Sequence, residues 1–113
     1  MYLKLVHGSH TSRDRVTWYK IFPTDTKGVP RLPSKSEKAY IRELQPQIEA
    51  HAKNVLGAWF HYAEYNTRTR VVELCFYMGV ATNPDSKYRF DCFKGWLAVF
   101  SESLPTQKHE KQT

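Results

Sequence analysis

The sequence predicts a small α+β domain: an antiparallel sheet of about five strands, in the order ββαβββ along the chain, with one kinked helix packed on one face. Three observations predict it. The chain has 113 residues, enough for one core of two packed layers and too few for two domains. Alternating stretches rich in aromatic and β-branched residues recur near residues 2–6, 15–22, 58–65, 69–80 and 87–100, as half-buried strands require. One stretch alone, after residue 34, carries a helical apolar stripe.

The first expected strand is Tyr2 to Val6, followed by a polar loop in which Gly8 and Ser9 favour a turn. The second is Arg15 to Phe22. Alternation there puts Val16, Trp18, Lys20 and Phe22 on one face and Arg15, Thr17, Tyr19 and Ile21 on the other. The segment from Pro23 to Pro33 holds three prolines and a glycine, which break regular structure and make it the longest expected loop.

Ser34-x-x-Glu37 is a capping-box pattern, so a helix starts near Lys35. Ile41, Leu44, Ile48, Ala52 and Val55 form its apolar stripe, which Gly57 is expected to end. Pro46 removes one hydrogen bond and crowds the preceding turn, predicting a kink or two short helices.

Beyond Gly57, strands are expected at about Ala58–Tyr65, Thr69–Val80 and Lys87–Phe100, separated by turns at Asn66-Thr67-Arg68 and Asn83-Pro84-Asp85. In the central one, Val72, Leu74, Phe76, Met78 and Val80 should face the core, with Tyr88, Phe90, Cys92, Trp96 and Phe100 joining them from the last strand. Domain 1–103 is then followed by a mobile polar tail, 104–113.

Cys75 and Cys92 are too few for a disulfide framework and lack the close pairing of structural zinc sites, and the expected register puts them on opposite faces. Both are read as free thiols. No apolar stretch approaches the roughly 18–20 residues of a membrane span, and the opening segment lacks the pattern of a secretory signal. The expected location is cytoplasmic, with no membrane partner.

The formal charge is +6, and its distribution is uneven. Residues 1–42 hold nine bases and three acids, a net +6, whereas residues 43–113 hold eight of each. The candidate binding residues are therefore Arg13, Arg15, Trp18, Tyr19, Lys20, Lys27, Arg31, Lys35, Lys38 and Arg42. Lys35, Lys38 and Arg42, at spacings of three and four, share one helical stripe. If strand, loop and helix start are neighbours, these bases form one patch. Such a patch neutralises successive phosphates, and an exposed Trp or Tyr stacks on an unpaired base. Set against this, Trp18 also fits a core position.

His7-x-x-His10 supplies two possible metal ligands, short of the four a structural site needs. His61 and Glu64 are three apart on an expected strand and so point to opposite sides, while His51 lies at the edge of the helix stripe. Neither a phosphate-binding glycine loop nor an H-E-x-x-H motif occurs, and the carboxylates do not cluster. The sequence thus points to no catalytic residue, no metal and no cofactor. It favours a small basic nucleic-acid-binding module using the N-terminal third. The alternative is a compact protein-binding inhibitor or adaptor, of the kind phages and mobile elements encode, whose same basic face meets an acidic protein surface.

Overall fold

The computed structural model describes residues 1–104. The elements run β1 (Leu3–Thr11), β2 (Val16–Pro23), α1 (Lys35–Leu56), a 3-10 turn (Gly57–Trp59), β3 (Phe60–Asn66), β4 (Val71–Tyr77) and α2 (Lys87–Glu102). Four strands form one antiparallel sheet in the order β1-β2-β4-β3, and both helices pack on the same face of it. The fold is α+β, as the sequence predicts, but with four strands and two helices in place of five and one.

The difference lies in the last element. Lys87–Glu102 is a helix, not a strand, and buries Phe90, Phe93, Leu97 and Ser101 at spacings of three and four. Tyr88 and Cys92, expected inside on the alternating reading, are exposed on its outer side. The turn residues before it serve as a helix entry: the Asn83 side chain accepts the Asp85 N–H at 2.9 Å and the Asn83 carbonyl accepts the Lys87 N–H at 2.8 Å. The buried Ser86 hydroxyl is turned back to the Val80 carbonyl at 2.8 Å, tying the entry to the end of the sheet.

Helix α1 starts where expected. The Ser34 N–H donates to Glu37 Oε1 at 2.9 Å, the reciprocal half of the capping box. Pro46 sits inside a single 22-residue helix rather than dividing it. It is exposed, so the carbonyl of Arg42 that loses its partner is left on the solvent side. Gly57 ends the helix at a φ of 54°, its N–H donating to the Lys53 carbonyl.

The core joins Ile41, Leu44, Ile48, Ala52 and Leu56 of α1, Phe90, Phe93 and Leu97 of α2, and Leu3, Ile21, Val72, Leu74 and Phe76 of the sheet. Met78, expected to continue the inward set, is exposed, because β4 stops at Tyr77 and the chain turns at Gly79 with a φ of 90°. Leu104, assigned above to the tail, packs against the core, and its carbonyl accepts a hydrogen bond from the amino terminus at 3.2 Å. The rest of the expected tail lies outside the described residues. No helix of the described chain is long and apolar enough to cross a membrane.

Candidate binding surface

With both helices on one side, the other face of the sheet is covered by no element among the described residues. The strand registers fix what it carries. Trp18 of β2 stands opposite Cys75 of β4, which stands opposite Tyr62 of β3; Lys20 stands opposite Glu73, which stands opposite Glu64; Val16 stands opposite Tyr77. Lys4 and Val6 of β1 continue the face beside Phe22 and Lys20.

Trp18 and Tyr62 meet edge to face, with ring centroids 5.4 Å apart and planes at 90°. His61, the extra residue of a bulge in β3, turns its ring onto Tyr77 at 4.2 Å. Trp18 is half-buried, while His61, Tyr62 and Tyr77 are exposed. The face is thus an aromatic surface. Its charges balance locally: Lys20 Nζ lies 4.0 Å from Glu73, and Asn66 Nδ2 donates to the same carboxylate at 2.9 Å. Burial, followed by the neighbouring charges of Cys75 and Glu64 and a hydrogen bond to Glu64, pushes the Tyr62 hydroxyl above the ordinary tyrosine range.

The ten residues selected from the sequence do not form one patch. Trp18 and Lys20 share a face, as their alternation predicts, and that face is the open one, so Trp18 does not take the core position the sequence also allowed it. Tyr19 faces the other way, its ring 5.0 Å from Phe90 and 5.8 Å from Phe76, which takes it off the open face. Arg13 and Arg15 are exposed in the β1–β2 turn, at the end of the sheet where Thr11 pairs with Val16. Lys27 and Arg31 lie at the opposite end, in the loop that follows Pro23.

Arg31 is committed to a structural bond. Both of its terminal nitrogens donate to the Glu37 carboxylate at 2.8 Å, joining the proline loop to the start of α1. The arginine holds this buried carboxyl down at about 2 against the opposing effect of burial. Lys35, Lys38 and Arg42 are exposed on α1, on the helical side of the sheet, with the Arg42 guanidinium 4.7 Å above the Tyr65 ring. Sequence reasoning missed Tyr62 and Tyr77 as surface aromatics. The alternation in β4 already put Tyr77 opposite the core set, and the bulge at His61 is what aligns Tyr62 with Trp18.

A concave feature lies at the Arg13 end, on the helical side. His7, His10, Thr17, Tyr19 and residues 78–82 line a cavity of about 260 Å³. His7 Nε2 lies 2.8 Å from Thr17 Oγ1, which also lies 3.3 Å from the Ser9 carbonyl. No group of three or more His, Cys, Asp and Glu side chains converges for a metal among the described residues. Cys75 is buried and Cys92 exposed, both as free thiols.

Set beside protein-family models, curated proteins and solved structures, the chain matches none. Fold and surface define a two-layer α+β domain whose aromatic sheet face is left uncovered by the described residues.

Proposed function

We propose that the chain is a small basic nucleic-acid-binding module that uses the open face of its sheet. The observation that carries this reading is the company Trp18 keeps: Tyr62 and Tyr77 beside it, Lys4 and Lys20 on the same face, and Arg13 and Arg15 in the turn at its end. A sheet that presents aromatic rings to solvent offers π-faces to unpaired bases, and flanking bases neutralise the backbone. This surface differs from the basic N-terminal third: it gains Tyr62 and Tyr77, while Tyr19 turns to the helical side and the exposed Arg31 is paired with Glu37.

Titration with single- and double-stranded oligonucleotides at low salt tests the reading. Binding that weakens linearly in log–log terms as salt rises, and that Trp18→Ala weakens further, supports it. The absence of any binding at micromolar protein refutes it. A second reading, the compact protein-binding inhibitor or adaptor, is favoured by one specific observation: Glu64 and Glu73 sit side by side on the open face, where carboxylates repel phosphate. Exposed tyrosines with a mixed charge pair suit a protein interface, where Trp, Tyr and Arg concentrate binding energy.

A further inference from the structure

The fold is one unit used twice. β1, β2 and α1 make a hairpin followed by a helix, and β3, β4 and α2 repeat it. With β2 and β4 adjacent and antiparallel in the order β1-β2-β4-β3, an approximate two-fold axis normal to the sheet exchanges β1 with β3 and β2 with β4. The sequence carries the repeat at the hairpin turns. Thr11-Ser12-Arg13-Asp14-Arg15-Val16 and Asn66-Thr67-Arg68-Thr69-Arg70-Val71 share the pattern Arg-x-Arg-Val.

Both turns also share a backbone anomaly. Arg15 and Arg70 have φ values of 57° and 65°, and among the described residues they are the non-glycine positions with positive φ. Glycine adopts that conformation without the steric cost an arginine incurs, and asparagine more readily than other side chains. The turn chemistry alone therefore favours Gly or Asn at both places, and the Arg found at each points to a role of the side chain.

The two-fold relation sends the tips to opposite ends of the sheet, one beyond the Val16–Tyr77 pair and the other beyond the Ile21–Val72 pair. Arg13, Arg15 and Arg68 are exposed, with no ion pair among the described residues. Arg70 is half-buried, and its Nη1 reaches the Pro33 carbonyl at a long 3.4 Å. Between the tips lie Trp18, Tyr62 and Tyr77, with Glu64 and Glu73 among them. Arginines at the ends, with rings, Glu64 and the Lys20–Glu73 pair between them, match a ligand whose end phosphates are held at the tips and whose bases lie flat between. Carboxylates repel phosphate but accept hydrogen bonds from base amino groups.

We infer that the β3–β4 turn, through the exposed Arg68 and, once its long bond to Pro33 is released, Arg70, is the second half of the binding surface, and that its ligand is a single nucleic-acid strand lying lengthwise from one arginine tip to the other. The inference rests on the nucleic-acid reading above. Strand geometry puts the tips about 20 Å or more apart at roughly 3.3 Å per residue, a span of about six stacked nucleotides at 3.4 Å each.

The test is fluorescence anisotropy with labelled single-stranded DNA of about 3, 6 and 12 nucleotides and a duplex of about 12 base pairs at low salt. Two double variants are compared, R13A/R15G and R68A/R70G, the glycines chosen because they accept the positive φ. Each should weaken binding of the longest strand about tenfold and lower the salt slope by about two. Circular dichroism should be unchanged, and Arg68→Ala alone, at an exposed side chain, serves if the double variant fails to fold. The six-nucleotide strand should bind nearly as tightly as the longest one, and the shortest strand far more weakly. Loss confined to R13A/R15G, with R68A/R70G within about twofold of the parent, overturns the inference and leaves the nucleic-acid reading standing. Tighter binding of the duplex overturns the single-strand assignment. No binding of any oligonucleotide by the parent protein removes both.

Discussion

Trp18 and Tyr62 meet edge to face, ring centroids 5.4 Å apart, above Cys75, the residue that stands between them on β4. That arrangement accounts for a residue buried on the open side of a sheet. Cys75 is 1% exposed although no helix covers it, and burial, with Glu64 nearby, pushes its thiol above the ordinary cysteine range. Cys92, on the outer side of α2, has no such cover.

The two thiols should therefore react on different timescales. With an excess of a thiol-specific reagent, one equivalent is expected to add rapidly at Cys92 and a second slowly at Cys75, since only a solvent-accessible thiolate is an effective nucleophile. Trp18→Ala opens one side of the cover and should accelerate the second phase without altering the first. Peptide mapping after a short pulse checks this; equal labelling of both cysteines in the parent protein would contradict the packing of the two rings.

The elements whose pattern has one solution were legible in the sequence, and those whose pattern has two were not. The stripe Ile41, Leu44, Ile48, Ala52 fits only a helix, and the alternation around Leu74 and Phe76 fits only a strand. From Tyr88 to Phe100 the large residues satisfy both periods: 88, 90 and 92 alternate, while 90, 93, 97 and 100 follow helical spacing. Asn83, Pro84 and Asp85 did not separate them, because the same residues begin a hairpin turn or a helix. The binding surface was half legible. Alternation put Trp18 and Lys20 on one face without showing it to be the open one, since both faces of β2 carry aromatic and charged residues, and charge counted along the chain joined bases that the fold sends to opposite ends of the sheet and to the helical side.

Phe76 sits at the meeting point of the layers and is fully buried, its ring within 5.5 to 6.4 Å of Phe60, Tyr19, Phe90 and Phe93. Phe76→Ala removes the side chain on which rings of β2, β3 and α2 converge. The expected cost is about 3–5 kcal/mol, a large share of the stability of a domain this size. Urea denaturation followed by circular dichroism measures it, and an unchanged midpoint would refute the core described here.

The Arg31–Glu37 pair gives the fold a pH dependence whose sign is determined. Its folded-state carboxyl lies at about 2, below the ordinary 4.5, so the unfolded chain binds the proton more readily. The contribution is fully present above pH 4.5 and is lost as pH falls toward 2. Glu37→Gln should remove on the order of 2 kcal/mol at neutral pH, since it breaks charge-assisted bonds to Arg31 at a buried site. It should also flatten the stability profile over that acid range, and a profile as steep as the parent's would exclude Glu37 as its source.

His51 acts in a higher pH window. Its ring stacks on Trp96 with centroids 4.0 Å apart and planes 11° from parallel, between the two helices, and burial lowers its affinity for a proton below the ordinary value of 6.5. A proton thus binds the unfolded chain more readily as pH falls through 6.5, and the domain should lose stability there. His51→Phe retains the stacking and cannot titrate. Melting temperatures between about pH 7 and 5 should fall more steeply in the parent than in the variant.

The last prediction uses the distribution of the three tryptophans. Trp96 packs between the helices on Phe93, Phe100 and His51, and Trp59 packs against the core, leaving Trp18 as the tryptophan of the open face. A W59F/W96F variant therefore reports on Trp18 alone. If unpaired bases stack on this surface, a saturating oligonucleotide should quench that emission, because base–aromatic stacking brings the rings into direct contact. Tyr62→Ala should weaken binding by about 1–3 kcal/mol through loss of the neighbouring ring, whereas Lys87→Glu, at the start of α2 on the helical side, should leave affinity within about twofold. Binding without any change in Trp18 emission would move the contact off the open face and onto the exposed bases of α1, Lys35, Lys38 and Arg42.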